Sequence, residues 1–255
     1  MWKLNADASV PLWRPAATDA DFVLAFTTRR GGVSAPPFDA LNLGRSTTDE
    51  PDAVTENRRR VLAALALDRV HLATAGQVHG ARVVRVEGAG HPPDCDGLLT
   101  TCRGVALAVT TADCMSMLYA APRGVAVAHS GWRGTAAGMP EVALNALREA
   151  AGVPADQISV HLGPCIRGCC YEVGPDVAKL FPAAAVTPSR DRFRLDLPTV
   201  ARLQLRAAGV VEVHDTGACT ACEAHWYFSH RRDRGACGRH WAIAALRDLR
   251  TGGEV

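Results

Sequence analysis

Three side chains far apart in the chain have the types needed to hold one transition metal. They are His79 in Gln77-Val78-His79-Gly80, Cys114 in Ala112-Asp113-Cys114, and His129 in Ala128-His129-Ser130-Gly131-Trp132. One thiolate and two imidazoles suit zinc. Three protein ligands with a fourth position left open make a catalytic rather than a structural zinc. A residual charge of about +1 on such a set acidifies a bound water toward a pKa of about 7, which provides a nucleophile at neutral pH. Spacing connects two of the three. Cys114 falls where a β-branched apolar run ends, and the turn residues Ala121-Pro122-Arg123-Gly124 separate it from His129. A hairpin about that turn puts Cys114 and His129 almost opposite each other, with Cβ atoms about 4.5–5.5 Å apart. The same proximity would serve a metal-free pair, with Cys114 as nucleophile and His129 as base. His79 separates the two chemistries, being central to the first and idle in the second. The spacing itself matches no compact zinc signature, and a cysteine at a strand end is commonly only a small buried residue.

Around this set the candidate substrate-binding residues are Arg29, Asn42, Gln77 and Arg133. Arg29 stands in Thr27-Thr28-Arg29-Arg30-Gly31-Gly32, where glycines let backbone approach a ligand and a guanidinium can fork onto phosphate. The same string also reads as a solvated loop. Asn42 offers an amide to a base or ribose, or caps a turn. Arg133 follows Trp132 and faces either a substrate anion or solvent at the start of a helix. Asp113 is the candidate to orient His79 or His129 from behind. Cys219-Thr220-Ala221-Cys222 is a CxxC; with Cys165, Cys169 and Cys170 it reads as a second zinc site or a redox pair, although no thioredoxin-like pattern surrounds it. The remaining histidines, among them His161, His214, His225, His230 and His240, have no paired spacing and read as structural or surface residues.

The elements that must position these residues are partly visible. Residues 49–67 space apolar side chains at helical intervals behind helix-starting residues. Residues 104–111 and 124–128 read as buried strands, residues 158–162 and 210–213 as short ones. Residues 135–151 and 198–208 read as helices, the first closed by Gly152 and Pro154. His225-Trp226-Tyr227-Phe228 reads as a packed strand. Strands and helices mix without a βαβ rhythm, and neither GxGxxG nor a phosphate-loop signature is present. The expected fold is α+β, a mixed β-sheet sandwich flanked by helices in one domain over residues 1–255, with 1–20 and 250–255 as peripheral ends. At 255 residues, 48% hydrophobic and 21% charged, the chain can bury a substantial core. A net charge of +2 gives no ground for a nucleic-acid or membrane surface. Without a signal-peptide core or an apolar run of bilayer length, the expected location is the cytoplasm, where the nine cysteines serve as thiols or ligands.

A series of short strings then occurs in order: FTTRRGGVS (26–34), LNLG (41–44), ENR (56–58), QVHG (77–80), ADC (112–114), AHSGWRGTAAG (128–138), LGPCI (162–166), CYEVG (170–174), DTGACT (215–220) and FSHRRD (228–233). Together they closely resemble the laccase-domain family, once called multicopper polyphenol oxidoreductases and now mostly read as zinc-dependent purine nucleoside phosphorylases with adenosine deaminase activity. The resemblance runs from about residue 26 to 245. It implies an α+β fold, similar to that of a toxin deamidase, and zinc on His79, Cys114 and His129. It implies purine nucleosides (adenosine, inosine, guanosine, methylthioadenosine) and phosphate as small-molecule partners. Ser130 and Ser116 depart from a common form of the motifs, which has alanine and proline there. Cys165, Cys169, Cys222 and Cys237 are extra.

Three readings compete. The zinc enzyme is the first. The metal-free cysteine hydrolase or deamidase is the second. A non-enzymatic protein with a structural zinc is the third, and it lacks an evident fourth ligand near the three. Copper can substitute for zinc on one cysteine and two histidines, which would admit polyphenol oxidation. A four-copper laccase, by contrast, needs histidine pairs that the chain does not have.

Overall fold

A computed structural model describes residues 1–16 and 21–247. The chain opens with β1 (Trp2–Leu4), β2 (Leu12–Pro15) and β3 (Phe22–Thr27). Helix α1 (Pro51–Ala64) and strands β4 (His71–Thr74), β5 (Val83–Arg85) and β6 (Gly97–Thr100) follow. Three longer strands come next: β7 (Val105–Thr111), β8 (Met115–Ala121) and β9 (Gly124–Ser130). Then come α2 (Trp132–Ala136), α3 (Met139–Ala151), β10 (Ser159–Leu162), β11 (Glu172–Val173) and α4 (Pro175–Ala178). The last elements are β12 (Val186–Ser189), β13 (Arg192–Leu195), α5 (Leu197–Ala207), β14 (Val213–Asp215) and β15 (His240–Leu246).

Two six-stranded sheets carry the fold, in the orders β1-β2-β3-β15-β7-β4 and β14-β10-β8-β9-β6-β5; β11, β13 and β12 make a third, small sheet. Alternate side chains sort into layers. Leu107 and Val109 of β7 join Leu118 of β8 and Val127 of β9 between the two sheets, while Ala106 and Ala108 turn to the far side with Val61 and Leu65 around α1. On the other sheet, Met117, Tyr119, Ala126 and Ala128 turn outward under α3 and α5. Burial of both faces explains why these strands are nearly continuous apolar runs. The mixed α+β sandwich flanked by helices is therefore the observed architecture. Among the described residues no helix is long and apolar enough to cross a membrane.

Four local expectations need correction. The helix over residues 135–151 is two helices, because Gly138 takes φ +80° between α2 and α3. The strand expected over 210–213 runs Val213–Asp215. His225 to Phe228 is turn and loop, and its backbone is held by Glu223 O accepting from Trp226 N and Tyr227 N. The N-terminal stretch expected to be peripheral forms the edge of the first sheet through β1 and β2, with Trp2 buried against Phe26 at 4.7 Å between ring centroids. Residues 250–255 lie outside the described residues.

Candidate metal centre and its cleft

β7 belongs to the first sheet and β8 to the second, so the chain changes sheets between Thr111 and Met115. Asp113 takes φ +84° at that corner, and Cys114 follows it immediately. β8 and β9 form the expected hairpin, but its register pairs His129 with Ser116 and Met115 with Ser130. Cys114 thus lies just beyond the hairpin end, beside Gly131. A β-carbon on Gly131 would stand 3.0 Å from Cys114 Sγ and 3.3 Å from His79 Cδ2, so glycine leaves the space in which the three groups meet. Their ligand atoms all lie within 4.8 Å of one another, and the two imidazoles meet edge to face at 4.9 Å.

The loop bearing His79 is wound around one carboxylate that the sequence did not single out. Asp96 is fully buried and accepts from the backbone amides of Val78 (3.1 Å), His79 (2.9 Å) and Gly80 (2.8 Å). It also accepts from His129 Nδ1 at 2.8 Å. A carboxylate there fixes the Nδ1–H tautomer and turns Nε2 toward the cluster, as metal-binding histidines require. Burial alone would raise the Asp96 pKa; the bonds from His129 and the amides of Gly80 and Val78 outweigh it and hold the group below the usual carboxylate range. Burial likewise opposes ionisation of Cys114, yet His129 and His79 bring its thiol down to about 6. Against its own burial, His129 is raised to about 9 by the Cys114 thiolate and Asp96. An ionised thiolate, an oriented imidazole and a second imidazole, mutually close and open on one side, fit a single zinc or copper ion.

The three residues of the cluster line a cleft of about 790 Å³. Arg45, Arg58, Arg231 and Arg239 line it together with Tyr171 and His230. Arg58 is buried, donates through Nε (2.9 Å) and Nη2 (2.6 Å) to Leu43 O, and lies 4.9 Å from the Trp241 ring centroid. Burial, and then the neighbouring Arg45 charge, lower its pKa to about 10. Two guanidinium groups that repel each other at a cleft wall form a site that an anion would stabilise.

A family model described as multi-copper polyphenol oxidoreductase laccase matches residues 23–247. The chain belongs to this family. Among its relatives, a purine nucleoside phosphorylase of Pseudomonas aeruginosa is 40% identical, over 87% of this chain and 92% of the relative. A purine nucleoside phosphorylase of Deinococcus radiodurans is 41% identical, over 87% and 88%. The crystal structure of YlmD from Geobacillus stearothermophilus superposes with a TM-score of 0.90 at 34% identity, covering 97% of this chain and 99% of that one.

For this laccase-domain chain, the sequence-derived ligand set converges in space, whereas the surrounding assignments shift. Arg29 is not on the cleft wall. Its Nε donates to Asp39 O at 2.8 Å, its Nη2 pairs with the Asp39 carboxylate at 3.1 Å, and it lines a separate recess with Arg30 and His225. Asn42 is fully buried. Its Nδ2 donates to Thr47 Oγ1 and Asp49 Oδ2, and its Oδ1 accepts from the amides of Gly44 and Arg239, so it shapes the loops that carry Arg45 and Arg239. Gln77 does line the cleft. Its amide, however, latches onto Thr110, donating to the carbonyl at 2.7 Å and accepting from the backbone N–H (2.8 Å) and hydroxyl (2.7 Å). Arg133 is exposed and stacked on Trp132 at 4.4 Å. Asp113 accepts from Thr220 Oγ1 (2.7 Å) and Arg231 N (2.6 Å), and Asp96 holds the orienting position expected of it.

Asp96 was hidden within Pro92-Pro93-Asp94-Cys95-Asp96-Gly97, where nothing distinguishes one acid from its neighbour. Arg45, Arg58 and Arg239 belong to loops and a helix that only the tertiary fold brings together.

Proposed function

We propose that this chain is a zinc-dependent purine nucleoside phosphorylase acting in the cytoplasm, with an adenosine deaminase activity in the same cleft. The observation that carries this reading is the His79–Cys114–His129 cluster lining a cleft that arginines also line. The names of the relatives supply the substrate class. In phosphorolysis of adenosine, inosine, guanosine or methylthioadenosine, a phosphate oxygen bonds to C1′ of the ribose as the bond to N9 breaks. The base leaves with the electron pair and takes up a proton, and ribose 1-phosphate remains, or 5-methylthioribose 1-phosphate where the substrate is methylthioadenosine. In deamination, water adds its oxygen to C6 of adenine and ammonia departs.

His79, Cys114 and His129 would hold the zinc, which when bound supplies Lewis acidity beside the substrate. Asp96 keeps His129 protonated on Nδ1 and fixes the His79 loop. Arg45, Arg58 and Arg239 take the phosphate, the role that the sequence had offered to Arg29 and Arg133. Tyr171, raised to about 12 by burial and the Cys114 charge, stays protonated and serves as a donor in the cleft. The test is product analysis. Inosine should give hypoxanthine and ribose 1-phosphate only with phosphate present, and adenosine should also give inosine and ammonia. His79→Ala should abolish turnover. Free ribose formed equally well without phosphate would refute the phosphorylase.

One observation favours a second reading. The depressed thiol and raised imidazole form a thiolate–imidazolium pair at neutral pH, as a cysteine hydrolase requires. A chelated, verified metal-free preparation decides between them. Full activity that is lost on alkylation of Cys114 would establish the cysteine chemistry; loss on chelation and recovery with zinc would establish the metal enzyme. A single copper could occupy the same three ligands, but among the described residues no other histidine-containing cluster exists to build a multicopper centre.

A further inference from the structure

A second group of ligands lies outside this cleft. Cys169 and Cys170 follow β10 in one loop, and Cys219 and Cys222 follow β14 in another. Their four sulfurs all lie within 4.8 Å of one another. Cys169 Sγ is 3.5 Å from Cys219 Sγ and 3.6 Å from Cys222 Sγ, and Cys170 Sγ is 3.2 Å from Cys222 Sγ. Zinc bonds thiolate sulfur at about 2.3 Å, so a regular tetrahedron places its sulfurs about 3.8 Å apart. The observed separations stand close to that edge. A polynuclear iron–sulfur cluster would instead spread the sulfurs over separate irons. A disulfide would join only two of the four and leave the other pair crowded.

We propose that Cys169, Cys170, Cys219 and Cys222 form a second, closed site that binds one zinc ion and staples together the loops after β10 and β14. The staple has a place to act. Cys170 adjoins Tyr171 of the cleft, and Cys219 adjoins Thr220, whose hydroxyl donates to Asp113 beside Cys114. The two loops are already tied by an isolated bridge between Cys165 and Cys219 and by the Arg167 fork onto Asp215 at 2.9 Å. With four thiolates the site has no open position, so its role is to hold a wall of the cleft, and no substrate binds there.

Metal analysis tests this on the full chain purified without added metal. The wild type should hold about two zinc ions per chain. Cys219→Ser with Cys222→Ser should lose one and keep the ion that depends on Cys114, while Cys114→Ser should do the reverse. That separation distinguishes failure of this site from failure of the proposed enzyme. Cobalt loaded into Cys114→Ser should give the intense charge-transfer band of a tetrathiolate. If the double variant fails to fold, the wild type still decides. Cys169 and Cys222 are exposed, yet should resist iodoacetamide until a chelator strips the metal. The proposal is overturned by one metal per chain with rapid alkylation of Cys169 and Cys222, by a Cys170–Cys222 disulfide in the purified chain, or by iron as the bound metal.

Discussion

The two sulfur-bearing clusters are built on opposite plans. His79, Cys114 and His129 converge at the corner where the chain passes from one sheet to the other, on backbone held by Asp96 and by the β8–β9 ladder. The four-thiol cluster draws its ligands from two surface loops, and two of its four cysteines are exposed. The first set is mixed, has three members and opens onto a cleft. The second is uniform, has four and is closed on itself. The contrast teaches which parts of the fold supply reactivity and which supply cohesion. An open site needs its geometry fixed before the ion arrives, because the ion cannot complete its own shell with protein. A closed site can let the ion organise flexible loops, since binding energy and ordering come together.

Asp96 is where that contrast breaks most sharply. Its two oxygens face four donors, three backbone amides and His129 Nδ1–H. In Asp96→Asn, either orientation of the amide turns an N–H2 group toward donors. Metal affinity at the His79–Cys114–His129 site should fall by about 10–100-fold, the cost of losing such a partner, with turnover falling alongside. The four-thiol site should keep its metal. Zinc titration against a competing chelator reads both. Equal weakening of the two sites would mean that Asp96 supports the whole fold and does not selectively organise the open site.

The cation wall gives a smaller, more specific effect. A charge-assisted hydrogen bond to an ionised group contributes about 1.5–3 kcal/mol. Arg45→Ala should therefore raise the KM for phosphate about tenfold or more while leaving both metals in place. Arg29→Ala, which removes a partly exposed pair with Asp39, should leave that KM unchanged. If Arg29→Ala instead gives the larger rise, the phosphate lies in the recess of Arg29 and His225, and the cleft has been assigned the wrong ligand.

The clusters also differ in how far the sequence disclosed them. The β8–β9 hairpin follows from apolar runs and turn residues, and it brings His129 near Cys114 even though the register is displaced. His79 enters through the family motif; spacing alone does not place it. The sheet change at Asp113 is invisible, because strands buried on both faces read alike in either sheet. Trp241-Ala242-Ile243-Ala244-Ala245-Leu246 is rich in residues that favour helices, yet it forms β15 between β3 and β7, where tertiary pairing overrides propensity. The CxxC was legible as a motif, and its grouping with Cys165, Cys169 and Cys170 as one reading of it; the parallel pairing of β10 and β14 brings Cys169 and Cys170 to it, while Cys165 stays outside the four.

That same pairing sets up a further expected effect, on stability and not on either site. His161 on β10 stacks on His214 of β14 at 4.8 Å, at the base of the two loops that carry the thiols. Burial, and then the His214 charge, depress the His161 pKa to about 3. An unfolded histidine titrates near 6.5, so between about pH 6.5 and pH 3 the unfolded chain takes a proton that the folded chain refuses. This stability is present above pH 6.5 and is lost as the pH falls toward 3, at no more than about 1.4 kcal/mol per pH unit for one proton. His161→Phe keeps an aromatic ring against His214 and Trp2 and removes the titration. Denaturant unfolding at several pH values should show the variant losing less stability than the wild type between pH 6.5 and pH 4, with any metal-release contribution common to both. Parallel curves would mean that His161 already carries its proton in the folded chain, and the acid sensitivity of the thiol-bearing loops would then have to originate at the sulfurs themselves.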